Sequence, residues 1–311
     1  MFPELHFDNK LNDFINDTRN LCRISEILQH GKGYLLKQDG NFIKFESIDT
    51  ISFIPKSKLV LALDGFNNTK YRTTVKVGRF ISKFMIKESR INFNISDRDI
   101  EIFVNLFKSY FDTDTSKYKV VSGDEILKWY LYENYHLPFG FQHGSLWNSC
   151  MRYREKNSYM NIYAVNPEKV KMLVHINEDG KLRTRALLWE EVYDQDGNKF
   201  KVMDRIYSVY DYEVLSFKKW ATDNNYIYKK EQSSKRERLF VTPDGTMDLK
   251  LQVKLDKWKI NYYPYIDTFK FLNYSNGVLS NNDDCFFDFI LVQNDGSLER
   301  EECETDTDTD F

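Results

Sequence analysis

Lys171-Met172-Leu173-Val174-His175-Ile176, then Leu182-Arg183-Thr184-Arg185-Ala186-Leu187-Leu188-Trp189-Glu190-Glu191-Val192, then Phe200-Lys201-Val202-Met203-Asp204-Arg205-Ile206-Tyr207 form three apolar segments close together in the chain. Turn signals part them: Glu178-Asp179-Gly180 after the first and Asp194-Gln195-Asp196-Gly197-Asn198 after the second. Short Asp-Gly connections join antiparallel strands, so the three segments predict a meander. Asp211 and Glu213 then precede Val214, Phe217, Trp220 and Ala221 at helical spacing. Their negative charges suit a helix N-terminus. Tyr226-Ile227-Tyr228 follows as a strand. This order predicts an α+β fold with a central, mostly antiparallel sheet flanked by helices.

Upstream of the meander the pattern turns helical. Ser96 precedes Asp97 and Asp99, with Ile100, Phe103, Val104 and Phe107 on one face, which predicts a capped amphipathic helix. Ser122-Gly123-Asp124-Glu125 opens a second helix by the same pattern. A third runs from near Ser149 to Ala164, before Asn166-Pro167. Earlier still, a short helix around Leu11, Phe14 and Ile15 leads into strand-like text from Cys22 to about Phe84. Downstream, Leu239 to Val241, Leu249 to Leu255, Trp258 to Tyr263 and Tyr265 to Leu272 also read as strands. The predicted organisation is a β-rich N-terminal region (1–95), an α+β core domain (96–298) and an acidic disordered tail (299–311).

Composition excludes several classes. In 311 residues, 41% hydrophobic and 16% aromatic content supplies a real core. Lys and Arg (44) nearly balance Asp and Glu (47), so no global field draws the chain to nucleic acid or an anionic membrane. The N-terminus carries no signal-peptide pattern, and no apolar run is long enough to span a bilayer. Cys22, Cys150, Cys285 and Cys303 are dispersed, which argues against a disulfide framework or a zinc site and for reduced thiols.

The segments Gly144-Ser145-Leu146-Trp147-Asn148-Ser149-Cys150-Met151-Arg152-Tyr153, Arg185-Ala186-Leu187-Leu188-Trp189 and Asp204-Arg205-Ile206-Tyr207 resemble a group of uncharacterised proteins encoded by tailed bacteriophages. The resemblance covers roughly residues 100–280. It implies a viral source, with the host cytoplasm or the virion as the place of action, and carries no activity with it. The central strand–helix order also resembles the core of GNAT acyltransferases, in which a glycine-rich turn lets helix N–H groups reach a pyrophosphate. Here the turn Tyr207-Ser208-Val209-Tyr210-Asp211-Tyr212-Glu213 has no glycine and carries two carboxylates, which repel that ligand.

Candidate sites each have an ordinary alternative. Cys150 sits at a predicted helix N-terminus, where a thiol gains thiolate character. His175 lies downstream on a strand, an order similar to papain-like enzymes. A small buried residue packing helix on sheet is the ordinary reading of Cys150. Lys218, Lys219, Trp220, Lys229, Lys230, Lys235, Arg236 and Arg238, with Tyr226 and Tyr228, combine cations and aromatic faces as nucleic-acid sites do. A solvated face over an apolar stripe is the ordinary reading there. Lys76, Arg79, Lys83, Lys87 and Arg90 form a second basic group. Arg185 and Arg205 lie inside apolar strands and need a carboxylate or a ligand. Glu190, Glu191 and Asp204 are candidate ion-pair partners, and strand alternation places Asp204 and Arg205 on opposite faces. No nucleotide, metal or hydrolase motif is present, so no cofactor or metal is expected. The reading that follows is a virus-encoded, non-catalytic binding protein for nucleic acid or for a host or viral protein. The alternative is an acyltransferase on a GNAT-like scaffold, ahead of a Cys-dependent enzyme.

Overall fold

The computed structural model describes residues 6–30, 42–54, 71–82, 94–112, 114, 116–138, 144–233, 238–282, 289–292 and 298–300. The protein is α+β. It divides into two compact units, residues 1–113 and 114–311.

In the first unit, strands β1 (His6–Phe7), β2 (Phe42–Ser47), β3 (Thr50–Phe53) and β4 (Thr73–Lys76) form one sheet in that order. Around it lie helices α1 (Asn9–Thr18), α2 (Arg23–His30), α3 (Val77–Phe80) and α4 (Asp97–Phe111). Asp8 caps α1 by accepting Leu11 N–H at 2.9 Å, and its second oxygen accepts Phe45 N–H from β2 at 2.8 Å. Ser96 and Asp99 form the predicted capping box on α4. Phe14 of α1 meets Phe103 and Phe107 of α4 edge-on at 5.4 and 5.3 Å. That contact gives α4 to the first unit, so the boundary follows residue 113 rather than 95. The unit is also less purely β than the composition of 22–84 predicts, because Arg23–His30 is helical. The hairpin signal at Gln38 to Asn41 and the apolar run Leu59 to Leu63 lie outside the described residues.

The second unit is built on a curled mixed sheet. Its elements are β5 (Tyr118–Ser122), α5 (Glu125–Lys128), α6 (Asn161–Ala164), β6 (Val170–Ile176), β7 (Leu182–Asp194), β8 (Lys199–Met203), β9 (Tyr207–Ser208), α7 (Glu213–Asp223), β10 (Ile227–Lys229), β11 (Leu239–Thr242), β12 (Gly245–Asp248), β13 (Leu251–Lys254), β14 (Phe271–Asn273), β15 (Val278–Ser280), β16 (Phe289–Val292) and β17 (Leu298–Arg300). The meander β6–β7–β8 is antiparallel, as predicted. After α7 the chain returns as β10, parallel to β8.

Side chains alternate across the sheet. Leu173, Ala186, Leu188 and Met203 face Phe217 and Ala221 of α7. Met172, Val174, Leu187 and Trp189 belong to the larger cluster on the other side, with Ile126, Tyr130, Leu146, Met160 and Tyr163 from the 125–164 segment and Ile266 and Phe269 from a strandless stretch before β14. Four predicted elements differ, one of them Tyr265 to Leu272, in which only Phe271 and Leu272 are strand. Residues 149–153 are a turn, and helix begins only as a 3-10 segment at Arg154–Met160. Trp258 to Tyr263 is not a strand; Asn166 instead binds the backbone of Asp256 and Lys257, tying down the entry to this stretch. Glu299 and Arg300 belong to β17, and the rest of the acidic tail lies outside the described residues. Among the described residues, no helix is long and apolar enough to cross a membrane.

Candidate functional site

The decisive local feature is a β-bulge. Leu188 of β7 pairs with Met203, and Arg185 of β7 pairs with Tyr207. Three steps along β7 therefore match four on the partner strand, so one extra residue is inserted between β8 and β9. The extra residue breaks strict alternation. Asp204 and Arg205, expected on opposite faces, line the same recess.

That recess is also lined by Arg185, Leu187 and Tyr207 from the sheet, Tyr130, Ser149, Met151 and Tyr163 from the 125–164 segment, and Tyr265 and Asp267 from the stretch before β14. Partly exposed Arg205, Tyr207 and Tyr265 border it. Its free volume is about 20 Å³, room for about one water molecule.

Arg185 is the central group. It is 2% exposed. The guanidinium carbon lies 3.9 Å from the Tyr130 ring centre and 4.8 Å from that of Tyr207, its cross-strand partner. One terminal nitrogen donates to Ser149 Oγ at 3.1 Å, and the Tyr135 hydroxyl lies alongside. Both polar neighbours are hydroxyl groups. None of the three carboxylates proposed from the sequence pairs with it. Glu190 takes Lys171, Lys201 and the Tyr226 hydroxyl, and Glu191 takes Lys169 and Lys199. Asp204 accepts from Trp189 Nε1 at 3.1 Å, Arg205 N–H at 2.7 Å and the Thr268 hydroxyl.

Arg205 pairs with Asp267 at 3.2 Å rather than with Asp204, and Tyr207 donates to the other Asp267 oxygen at 2.5 Å. The Nε atoms of Arg185 and Arg205 are both buried without a hydrogen-bond partner among the described residues. Burial, and then the Asp267 charge, push the Asp204 carboxyl above its ordinary range. Burial likewise raises Tyr130, Tyr163 and Tyr207, which keeps these hydroxyls protonated.

The magnitudes show why this arrangement is unusual. Burying a guanidinium costs several kcal/mol. Each cation–π contact returns about 0.5–2 kcal/mol, and one hydrogen bond from a charged group about 1.5–3. These gains, with the hydroxyls of Tyr135, Tyr130 and Tyr207 around it, offset the cost, and the guanidinium is held above its ordinary pKa against the effect of burial; its Nε–H is still left without an acceptor among the described residues.

The other candidates fall elsewhere. Cys150 sits in the 149–153 turn, without a helix N-terminus behind it, and packs against the larger core cluster. His175 alternates onto the α7 side of the sheet, where Nδ1 lies 3.5 Å from Glu213 and its ring meets Tyr118 edge-on. Cys150 and His175 are therefore not brought together. Gln142 and His143 lie outside the described residues.

The entry to α7 is filled by the chain itself. Glu213 is buried, accepts the Thr184 hydroxyl at 2.8 Å, and meets Arg183 Nε at 2.7 Å in a charge contact whose angle falls short of a hydrogen bond. Tyr212, beside this pair, is pushed up to about 12 by burial and by Glu213. Asp211 is exposed.

The basic span does not assemble into a stripe. Lys229 is fully buried on β10, between β8 and β11, and donates to the Ser233 carbonyl at 2.8 Å. Lys218 is partly buried, which lowers its pKa, and lies over the Tyr228 ring. Trp220 packs on Tyr226, and Arg238 pairs with Asp248. Lys219 and Lys230 are exposed. Lys235 and Arg236 lie outside the described residues, as do Lys83, Lys87 and Arg90.

No group of His, Cys, Asp and Glu suited to a metal ion occurs among the described residues. Asp194, in one acidic turn, is consumed by Asp196 and Asn198 backbone N–H groups and the Asn198 amide. Asp283 and Asp284 are not described. Sequence reasoning did not assign Tyr130, Ser149 or Asp267 to a site: Ser149 lies in a motif quoted for the resemblance, but nothing in the pattern of any of the three segments points to Arg185. Comparison with family models, curated proteins and solved structures finds no match.

Proposed function

We propose that the protein is a virus-encoded, non-catalytic binding protein whose recognition centre is the Arg185 recess, where it takes an anionic group of its ligand. The observation that carries this reading is a buried guanidinium that has no carboxylate partner, keeps one N–H unmet among the described residues, and lines a recess bordered by partly exposed residues. The resemblance to tailed-bacteriophage proteins supports the viral source. Small anions titrated at constant ionic strength test the reading, because a ligand that binds only the native state raises the melting temperature. Acetate, phosphate and sulfate are the first probes. A rise with at least one of them, lost in Arg185→Met, is the expected result. A flat response to all three removes the reading.

A nucleic-acid partner for residues 218–238 draws support from the exposed Lys219 and Lys230 alone. Binding to DNA and RNA at about 50 mM salt tests it, since electrostatic affinity is greatest at low salt. The acyltransferase alternative has one observation in its favour: β10 runs parallel to β8 after α7, the order that suggested it. Against it stands Glu213, which occupies the helix entry where a pyrophosphate would sit. A melting temperature unmoved by millimolar acetyl-CoA eliminates it for that cofactor.

A further inference from the structure

Between β13 and β14 the chain forms a loop in place of the predicted strand, and hydrogen bonds tie that loop down. Asn166 Oδ1 accepts the Asp256 and Lys257 N–H groups, each at 2.9 Å. The Tyr263 hydroxyl donates back to the Trp258 carbonyl at 2.5 Å. Trp258 Nε1 donates to the Tyr274 carbonyl at 2.8 Å, in the turn that joins β14 to β15. The indole packs on Gly277 of the same turn, where a Cβ would come within 2.3 Å of the ring.

This tied loop leaves large rings in solvent. Tyr262 is 53% exposed and Tyr274 39%, and Trp258 is partly exposed. Tyr262 stacks on Tyr159, with ring centres 5.1 Å apart and planes 9° from parallel, so its open surface lies away from Tyr159. Single exposed rings are ordinary, whereas several gathered on one fixed loop and its neighbouring turn mark a contact surface.

Charge narrows the partner. Lys254, Lys257 and Lys259 are exposed on this stretch against one carboxylate, Asp256, although acidic residues outnumber basic ones in the whole chain. Lys259 Nζ lies 5.9 Å from the Trp258 ring centre and 6.0 Å from that of Tyr274. Lys254 pairs across strands with Val278, beside Gly277. Phosphates match the ammonium groups, and unpaired bases offer flat faces to the rings. An acidic polypeptide matches the cations alone, and a duplex keeps its base faces stacked on one another.

We infer that the 254–262 loop and the 274–277 turn bind single-stranded nucleic acid, with bases against Trp258, Tyr262 and Tyr274 and phosphates against Lys254, Lys257 and Lys259. This surface shares no residue with the Arg185 recess or with the 218–238 span, so its test is independent of both.

Fluorescence anisotropy of labelled oligothymidylate and oligouridylate of about 15 nucleotides, titrated with the full chain, tests this. A Kd of about 1–100 μM at about 150 mM salt is expected. Three phosphate contacts should weaken binding about 10–20-fold between about 50 and 200 mM salt. Tyr262→Ala should weaken it about tenfold, the loss of one stacked base. Lys257→Gln combined with Lys259→Gln should lower affinity and cut the salt dependence by about two thirds. Both variants change exposed side chains, and their melting curves check that they fold. Three outcomes overturn the inference: no anisotropy change up to about 100 μM protein; duplex DNA or polyglutamate of equal charge bound as tightly as the single strands; or binding that survives these substitutions and is lost in Lys219→Gln combined with Lys230→Gln, which places it at residues 218–238.

Discussion

Arg185 and Asp204 hold opposite charges in one recess without pairing, and each makes its own prediction. If Arg185 serves binding, the fold does not depend on its charge. Replacing a buried ion by an apolar side chain of similar length is often neutral or stabilising by about 1–4 kcal/mol. Arg185→Met should therefore leave ligand-free stability within about 1 kcal/mol of wild type or raise it, as measured by urea unfolding. A loss of several kcal/mol would make Arg185 a structural keystone instead. Asp204 governs a pH dependence. Its folded pKa lies above the ordinary 3.8 because of burial and the Asp267 charge. Between 3.8 and the folded value, the native state holds a proton that the unfolded chain has released. Stability contributed by this group is therefore lost as pH rises through that window. Urea midpoints measured at a series of pH values should show wild type weakening relative to Asp204→Asn as pH rises above 3.8. Parallel profiles would mean that Asp204 has an ordinary pKa in the fold.

At the scale of elements, the bulge between β8 and β9 controls the site. One extra residue on one strand turns Asp204 and Arg205 into the same recess and brings Tyr207 opposite Arg185. The segment leading into the 145–153 turns is held against this strand by a close approach. Gly144 N–H donates to the Val209 carbonyl at 2.7 Å, and a side chain at 144 would collide with the Ser208 carbonyl oxygen. Backbone cannot swing aside as a flexible side chain can. Gly144→Ala should cost about 1–3 kcal/mol, the usual range for overpacking, and should weaken any anion binding, because Ser149 lies on the same segment as Gly144. Urea unfolding and the acetate titration check both parts. Unchanged stability would show that the 144–149 segment moves freely off β9.

For the whole molecule, two units each with its own sheet and core predict that residues 114–311 fold alone. Expressed by itself, this segment should melt cooperatively and retain the anion response, since every residue lining the recess lies within it. A non-cooperative melt would show that the recess depends on the first unit. The amino-acid sequence by itself determined the α+β class, the β6–β7–β8 meander, the capped α4 and the acid-led α7, because each depends on local periodicity, turn residues and capping within a few positions. It also marked Arg185 as an internal charge in need of a partner. Only the tertiary structure decided what that partner is not. Carboxylates near in sequence, Glu190 and Glu191, are taken by lysines on neighbouring strands, while Tyr130, Ser149 and Asp267 arrive from segments distant in sequence. Alternation predicts faces only while strand register holds, and a single inserted residue reverses it. Burial, which turns a solvated arginine into an unmet donor, arises from contacts that no local pattern encodes.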